Sequence, residues 1–294
     1  MKLKIAHQTT HTYASPVSFG IHHCFLIPHE AQGRRVTSFD LTASPKAIGR
    51  WVNDAEGNVS RAFTFGVEPA TELQFDLEML VEIDEQNPFD FLLDIDATGY
   101  PFSLSDSDRR VLQPMLEIGE PTGAKNWFQD QGVAPETHDD IVQFLAELNT
   151  TVHDKISYVR RDEEGIQPPE ETISNASGSC RDMAVLMMHG VRELGLAARF
   201  VSGYLYDPPE GDAHLFNRAV GSMHAWVEVY LPGAGWKGFD PTNGILANEF
   251  FIPTAVSVEP ERIDPIQGTY FADTSVSSTL TVDLTLEECS DDPA

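Results

Sequence analysis

The stretch Gly178-Ser179-Cys180-Arg181-Asp182 ends a long polar segment and opens one with helical periodicity. Apolar residues then recur at the spacing of one helix face: Met183, Leu186, Met187, Val191 and Leu194. Ser177 or Ser179 can cap the start of this helix, and Gly195 can end it. A thiol in the first helical turn faces unpaired N–H groups and the positive end of the helix dipole, which favour the nucleophilic thiolate. Cys180 is therefore a candidate nucleophile, although most free cysteines are simply small buried hydrophobic residues.

The bulk composition is that of a soluble globular protein with room for two domains. The chain has 294 residues, of which 41% are hydrophobic and 22% charged, and no apolar run approaches the ~18 residues that span a bilayer. The N-terminal residues alternate like a strand and lack the apolar block of a signal peptide, so we expect a cytoplasmic protein. The formal net charge of -27 makes nucleic acids and membrane surfaces poor partners. It favours a strongly solvated or salt-adapted surface, with attraction of cationic substrates as the alternative.

Neither the cysteines nor the histidines form a recognisable metal motif. The chain has three scattered cysteines: Cys24, Cys180 and Cys289. Their odd count leaves at least one free thiol, which suits a reducing compartment, and we expect the first and the last to be structural. The nearby His22, His23 and His29 lack spaced carboxylate or thiolate partners, so we interpret them as surface or strand residues. With no Walker loop and no dinucleotide fingerprint, the sequence predicts no cofactor and no metal.

The first 85 or so residues have the patterns of antiparallel β structure. Four segments carry strand signals: Lys4–Tyr13, Val36–Ala43, Ile48–Asn53 and Val59–Phe65. The clearest strand runs from Leu73 to Ile83, where apolar residues alternate with mostly polar ones, as expected for one buried face. The segment Asp54–Asn58 is a turn between two strands, in which Gly57 can adopt positive φ. Such strands imply a small sandwich or β-sheet domain.

The patterns divide the chain into four parts. These are an N-terminal β domain (1–95), an irregular connector (96–134), a core (135–265) and a C-terminal segment (266–294). The connector contains a short helix near Asp106–Met115, and a core helix starts near Thr137, with Asp140 in a variant capping box. Tyr158 closes a short strand, and a polar loop over 160–178 leads to the thiol.

The C-terminal segment has the period of the N-terminal β region. Apolar Leu280, Val282, Leu284 and Leu286 alternate with polar residues, which predicts a half-buried strand that can return to the N-terminal sheet. The acidic tail from Glu287 is expected to be disordered.

A β-hairpin follows the Cys180 helix and a predicted strand over Ala198–Leu205. Its first arm, His224–Leu231, has an apolar face of alternate residues, and His224, Trp226, Glu228 and Tyr230 form the other face. Residues 232–235 turn the chain into the second arm, Trp236–Asp240. A loop of about five residues places Asp240 opposite Trp226 or, with a bulge, opposite His224. Because side chains two positions apart share a face, His224 and Asp240 are neighbours in either register.

These three residues match the needs of thiol chemistry. A nucleophilic thiol needs a base that accepts its proton and a third group that orients the base, and Cys180, His224 and Asp240 supply them. Taken singly, His224 can be a satisfied core histidine and Asp240, before Pro241, a turn residue. Their joint fit to one helix and one hairpin favours a thiol active site on an α+β fold. In that fold, the helix carrying Cys180 packs on an antiparallel sheet carrying His224 and Asp240.

The sequence resembles the bacterial transglutaminase-like superfamily, whose core has a papain-like arrangement. Four blocks carry the resemblance in order: Gly178–Asp182, Leu194–Tyr204, His224–Val229 and Gly235–Thr242. The N-terminal half is similar to the β domain that precedes the core in many bacterial members, through His7, Thr9, Tyr13, Pro16-Val17 and the Asp54–Asn58 turn.

The resemblance implies that Cys180 is the nucleophile, His224 the general base and acid, and Asp240 the orienting acid. The implied reaction is acyl transfer from a carboxamide or peptide bond through a thioester, on a protein, a peptide or an amide-containing small molecule. Hydrolysis by a peptidase or amidase uses the same residues, and a non-catalytic peptide-binding module is a second alternative.

The oxyanion of this reaction needs preorganised donors, of which the backbone N–H of Cys180 is the natural first. Animal transglutaminases use an indole donor upstream of the cysteine, but this chain has no Trp between Trp127 and Trp226. Tyr158 and Gln167 are the candidate substitutes, and no calcium-binding motif is matched.

Overall fold

The computed structural model describes residues 1–31, 33–84, 87–133, 137–161, 165–210, 213–214 and 223–289. It has an α+β architecture, which confirms the predicted fold class. Two regions of antiparallel β-sheet are separated along the sequence by a helical connector.

The described residues form sixteen strands and five α-helices. The strands are β1 (Lys2–Cys24), β2 (Arg34–Ser44), β3 (Ala47–Asn53), β4 (Val59–Phe65), β5 (Ala70–Ile83), β6 (Ser157–Tyr158), β7 (Ser177–Gly178), β8 (Ala198–Leu205), β9 (Pro209–Glu210), β10 (Ala213–His214), β11 (Met223–Leu231), β12 (Gly235–Asp240), β13 (Ile245–Leu246), β14 (Phe251–Ser257), β15 (Ile266–Phe271) and β16 (Ser278–Glu288). The helices are α1 (Asp106–Leu116), α2 (Ala124–Asp130), α3 (Ile141–Lys155), α4 (Pro169–Asn175) and α5 (Cys180–Glu193).

The N-terminal β structure is organised around the long strand β1, which belongs to two sheets. Its first half lies between β5 and β16, and β2 pairs with the far side of β5. Its second half lies between β4 and β15, with β3 outside β4. Alternate residues such as Leu3, Ile5 and Leu77 are buried between the layers. This core continues into the rest of the molecule, because Tyr204, Tyr206 and Ile252 are packed within it.

A separate sheet in the second half of the chain has five strands in the order β13-β12-β11-β8-β14. Helix α5 packs on one face of this sheet, against alternate β11 residues such as Ala225, Val227 and Val229. Helices α2, α3 and α4 surround α5 and complete the largest buried cluster. The helix with the candidate nucleophile is therefore the central element of the second core.

The outer edge of β14 is covered by the N-terminal β structure. The side chain of Asn58, fully buried, acts like a strand residue: its Nδ2 donates to Val256 O and its Oδ1 accepts from Val256 N, both at 2.7 Å. Three further bonds reach the same strand or its end: His29 N to Pro253 O, Arg34 Nη2 to Phe251 O, and Val258 N to Glu56 Oε1. Exposed strand edges leave polar groups unpaired, so this contact satisfies the edge and fixes the two regions together.

Three details of the middle of the chain differ from the sequence predictions. The helix predicted from Thr137 begins at Ile141, because Asp140 itself is the N-cap and its Oδ1 accepts from Val142 N and Gln143 N. The polar loop before Cys180 contains helix α4, which starts with Pro169 at a position where proline is favoured. The connector contains α2 in addition to the predicted helix near Asp106.

The C-terminal strand also differs in part from its prediction. β16 pairs with β1 from Leu3↔Glu288 to Tyr13↔Ser278, so it joins the N-terminal sheet. It is less buried than its alternation predicts, since Leu280 is 58% exposed on this outer strand. Glu287, where a disordered tail was expected to start, still lies within β16, and residues 290–294 are outside the described residues.

Candidate active site

Cys180 is the first residue of α5, and its surroundings are fixed by a buried carboxylate two residues further on. Ser179 is the N-cap, as one of the two predicted alternatives had it. Asp182, which is completely buried, accepts from both Ser179 N and Ser179 Oγ at 2.8 Å. Asp182 thus binds the N–H of Ser179. The N–H of Cys180 comes next and is one of the first helical amides, which have no carbonyl partner within the helix.

The same carboxylate also holds the preceding loop. Asp182 accepts from Gln167 N at 2.7 Å and from Arg161 Nη1 at 2.8 Å. Gly178 is required beside it, because a Cβ there would lie 2.8 Å from the Asp182 Cβ. Asp182 therefore connects the chain on both sides of the thiol. The Ser179-x-x-Asp182 spacing is a capping-box signal, which could have pointed to Asp182 from sequence alone.

His224 and Asp240 lie on adjacent strands and face each other. The observed register pairs Val227 with Phe239, which places Asp240 opposite Trp226, the first of the two predicted registers. His224 Nε2 lies 3.0 Å from Asp240 Oδ2, and both side chains are completely buried. Because the carboxylate only accepts, Nε2 carries a hydrogen, and in the neutral ring Nδ1 is then the basic nitrogen.

Further bonds hold the Asp240 carboxylate in place. Its Oδ1 accepts from Thr242 N at 2.9 Å, and its Oδ2 accepts from Asn243 Nδ2 at 2.7 Å. Burial raises the pKa of Asp240, but His224 and these donors outweigh it and bring the pKa below the ordinary value. Asp240 is thus an anion oriented toward the imidazole. Thr242 and Asn243 were not singled out from sequence, since short-range donors after an aspartate resemble an ordinary turn.

The other ring nitrogen of His224, Nδ1, is also buried. Among the described residues, buried Nδ1 has no hydrogen-bond partner of good geometry, yet Cys180 is near enough to act on the pKa of the ring. Long or poorly aligned catalytic bonds are common in unliganded enzymes. Burial lowers the pKa of His224, but Asp240 and Cys180 together outweigh it and raise the pKa to about 10. The structure therefore brings the three predicted residues together, with Cys180 still 9% exposed.

The two candidate oxyanion donors have different surroundings. The Gln167 side chain is committed elsewhere, because its Nε2 donates to Thr172 Oγ1 at 3.2 Å and to Ser177 O at 3.1 Å. Tyr158 lies on β6, directly beside Gly178 of β7, and its half-buried ring packs against the cluster that contains Cys180. The role of Tyr158 as an oxyanion donor stays a prediction.

The remaining predicted features concern cysteines, metals and membranes. Cys24 is buried at the end of β1, and burial raises the pKa of its thiol, which makes it less reactive. In the described ranges, no group of three or more His, Cys, Asp or Glu side chains is arranged to hold a metal ion. No helix within those ranges is long and apolar enough to cross a bilayer.

Two family models match this chain. Residues 129–241 match the transglutaminase-like superfamily, and residues 3–82 match the bacterial transglutaminase-like N-terminal region. The chain belongs to the transglutaminase-like superfamily. All three residues of the site lie within the part that matches the transglutaminase-like core.

Relatives extend the similarity over almost the whole chain. Uncharacterized proteins of Mycobacterium tuberculosis and Mycobacterium leprae are each 26% identical, covering 94% and 92% of this chain and 90% and 93% of their own. A candidate cysteine protease from Cytophaga hutchinsonii has a similar structure, with a TM-score of 0.70 at 17% identity, covering 100% of this chain and 93% of its own. The transglutaminase-like core and its N-terminal region therefore form one recurring architecture.

Proposed function

We propose that this transglutaminase-like protein is a cysteine-dependent enzyme that transfers or hydrolyses acyl groups of carboxamide or peptide bonds. The observation that carries the proposal is the position of His224 between a buried carboxylate and the thiol at the start of α5. An imidazole that keeps its proton in a buried site stabilises a neighbouring thiolate, which is the nucleophilic form. The similarity to a candidate cysteine protease points to the same chemistry.

The reaction proceeds in two halves on these residues. In the resting pair the thiol proton is already on Nδ1 of His224. Sγ of Cys180 attacks the carbonyl carbon as the thiolate, and the backbone N–H of Cys180 donates to the oxyanion. As the C–N bond breaks, His224 returns the proton to the leaving nitrogen and a thioester remains. In the second half, water or an amine loses a proton to Nδ1 and attacks the thioester, and Sγ leaves as the thiolate. Asp240 holds the ring in the required tautomer throughout.

Alkylation by iodoacetamide tests the activated thiol without knowledge of the substrate. We expect Cys180 to react rapidly and selectively at about pH 6, and to lose this reactivity in His224→Ala, because an ordinary thiol is protonated there. The matched control is Cys289→Ser, which removes a partly exposed cysteine outside the site and keeps the fast reaction. Equal and slow labelling of all accessible cysteines would instead indicate a non-catalytic binding module.

Ammonia release distinguishes transfer from hydrolysis. A glutamine-containing peptide is incubated with and without methylamine, with Cys180→Ala as the blank. Release that depends on the amine indicates acyl transfer, whereas release that is independent of it indicates hydrolysis. A thioester shielded from water favours the former.

A further inference from the structure

An aromatic side chain lies directly against the buried imidazole of the site. The rings of His224 and Trp226 are nearly parallel, with an angle of 28° between their planes and 6.1 Å between centroids. Trp226 is 1% exposed, so both rings lie in the interior of the protein. Because Asp240 lies opposite Trp226 in the β11–β12 register, the indole is also next to the carboxylate that orients His224.

Two glycines make room for the indole on the strands beside β11. On β8, Gly203 pairs with His224, and a Cβ there would lie 2.7 Å from Trp226 Cη2. On β12, a Cβ at Gly238 would lie 3.3 Å from Trp226 Nε1. The indole therefore extends across the sheet from β12 to β8. It occupies space that side chains at these two glycine positions would otherwise fill.

A second aromatic residue fixes the indole from the side. Phe251, on β14, is 2% exposed and makes an edge contact with Trp226, with 5.4 Å between ring centroids. Its ring is also 6.0 Å from that of His224. The imidazole thus has aromatic neighbours from its own strand and from β14, while Asp240 approaches from β12.

We propose that Trp226 is a positioning residue, which holds the His224 ring in the orientation that links Asp240 to the Cys180 thiol. This inference rests on the proposed function and names a residue that acts through His224. The titratable groups that act on His224 are Asp240 of β12 and Cys180 of α5. An imidazole held in this orientation keeps its hydrogen bond to Asp240, which favours the thiolate–imidazolium pair.

Alkylation of Cys180 over a range of pH tests this role in Trp226→Phe. We expect the pH at which alkylation reaches half its maximal rate to move upward by about one unit, so that the reaction near pH 6 becomes about tenfold slower. The reason is that a ring with a smaller neighbour loses orientation and no longer stabilises the thiolate as well. The matched control is Trp236→Phe, whose indole on β12 packs with Tyr230 and Arg199 instead.

The outcomes separate this inference from the proposed function. An unmoved midpoint in folded Trp226→Phe, with only a lower unfolding temperature, would mean that Trp226 is merely a core residue. Slow alkylation of the unaltered protein would instead overturn the proposed function itself. If Trp226→Phe does not fold, Phe251→Leu loosens the same indole from the side, and the same upward shift of the midpoint is expected.

Discussion

Two buried histidines, one in each half of the molecule, carry opposite electrostatic properties. His7, on β1 of the N-terminal sheet, is 4% exposed and binds the Tyr204 hydroxyl at 3.0 Å and Thr9 Oγ1 at 3.1 Å. His224 is similarly buried, at 2%. Burial lowers the pKa of His7 to about 4, whereas the pKa of His224 is raised to about 10.

The difference comes from the partner and not from burial. Burial disfavours the charged form of both rings, and hydroxyl partners do not compensate for it at His7. At His224, the Asp240 carboxylate does compensate, with Cys180 as a further contribution. A buried histidine is thus a neutral structural group in one place and a proton-holding group in the other.

The largest expected effect comes from making His224 resemble His7. In Asp240→Asn the ring keeps a hydrogen-bonding neighbour but loses the charge, so we expect the pKa of His224 to fall below its ordinary value. Alkylation of Cys180 near pH 6 should slow by about 10³-fold or more, in line with the loss of an orienting carboxylate in other triads. Asp283→Asn, on the exposed strand β16, is the control and should react like the unaltered protein. An unchanged rate in Asp240→Asn would show that the charge is not needed.

The stability of the protein should depend on the two histidines at opposite ends of the pH scale. Below pH 6.5 the unfolded chain protonates His7, but the folded protein does not until about pH 4. The His7 contribution is therefore present above pH 6.5 and lost as pH falls toward 4, at about 1.4 kcal/mol per pH unit and about 3 kcal/mol in total. His224 has the reverse sign: its contribution is present below pH 6.5 and is lost as pH rises through about 10.

Urea unfolding between pH 4 and 8 measures the His7 part of this prediction. His7→Gln should have a flatter acid limb than the unaltered protein, whereas His11→Gln, on the same strand, should keep the full slope. The same acid slope in both variants would contradict the assignment to His7.

A smaller effect is expected where the N-terminal β structure covers β14. Asn58→Ala removes a hydrogen bond to Asp54 and the two to Val256, and it leaves the N–H and C=O of Val256 unpaired in a buried place. We expect a loss of about 2 kcal/mol in the free energy of unfolding, measured by urea, whereas the exposed Asn53→Ala should be close to neutral. A neutral Asn58→Ala would mean that the N-terminal region does not support the edge.

The smallest effect concerns the hydroxyl that binds His7. Tyr204→Phe keeps the ring and removes one hydrogen bond between the two halves, so the expected loss is about 1 kcal/mol. The alkylation profile of Cys180 should not move, because His7 takes no part in the chemistry. A shift of that profile would show that the two histidines are coupled.

The elements nearest the chemistry were the ones that sequence patterns predicted well. The helical period after Cys180 and the alternation from His224 define α5 and β11, and the short loop brings Asp240 to His224 in either register. Local rules suffice here because the hairpin pairs neighbours in sequence.

Long-range contacts account for what the patterns did not predict. β14 was not predicted, since Pro253 is unfavourable within a strand; it is tolerated because β14 is at the sheet edge and has an irregularity next to that residue. Gln167 remained a candidate donor because its partners, Thr172 and Ser177, are known only once the loop is folded. The apolar alternation of β16 did not reveal that Leu280 lacks a covering layer.

The protonation states of His224 and His7 can be compared in one sample by NMR of ¹⁵N-labelled imidazoles at pH 7.5. We expect a His224 ring with both nitrogens protonated and a neutral His7 ring. A neutral His224 at that pH, indistinguishable in protonation from His7, would contradict the central claim that the Asp240 carboxylate makes this imidazole the partner of a thiolate.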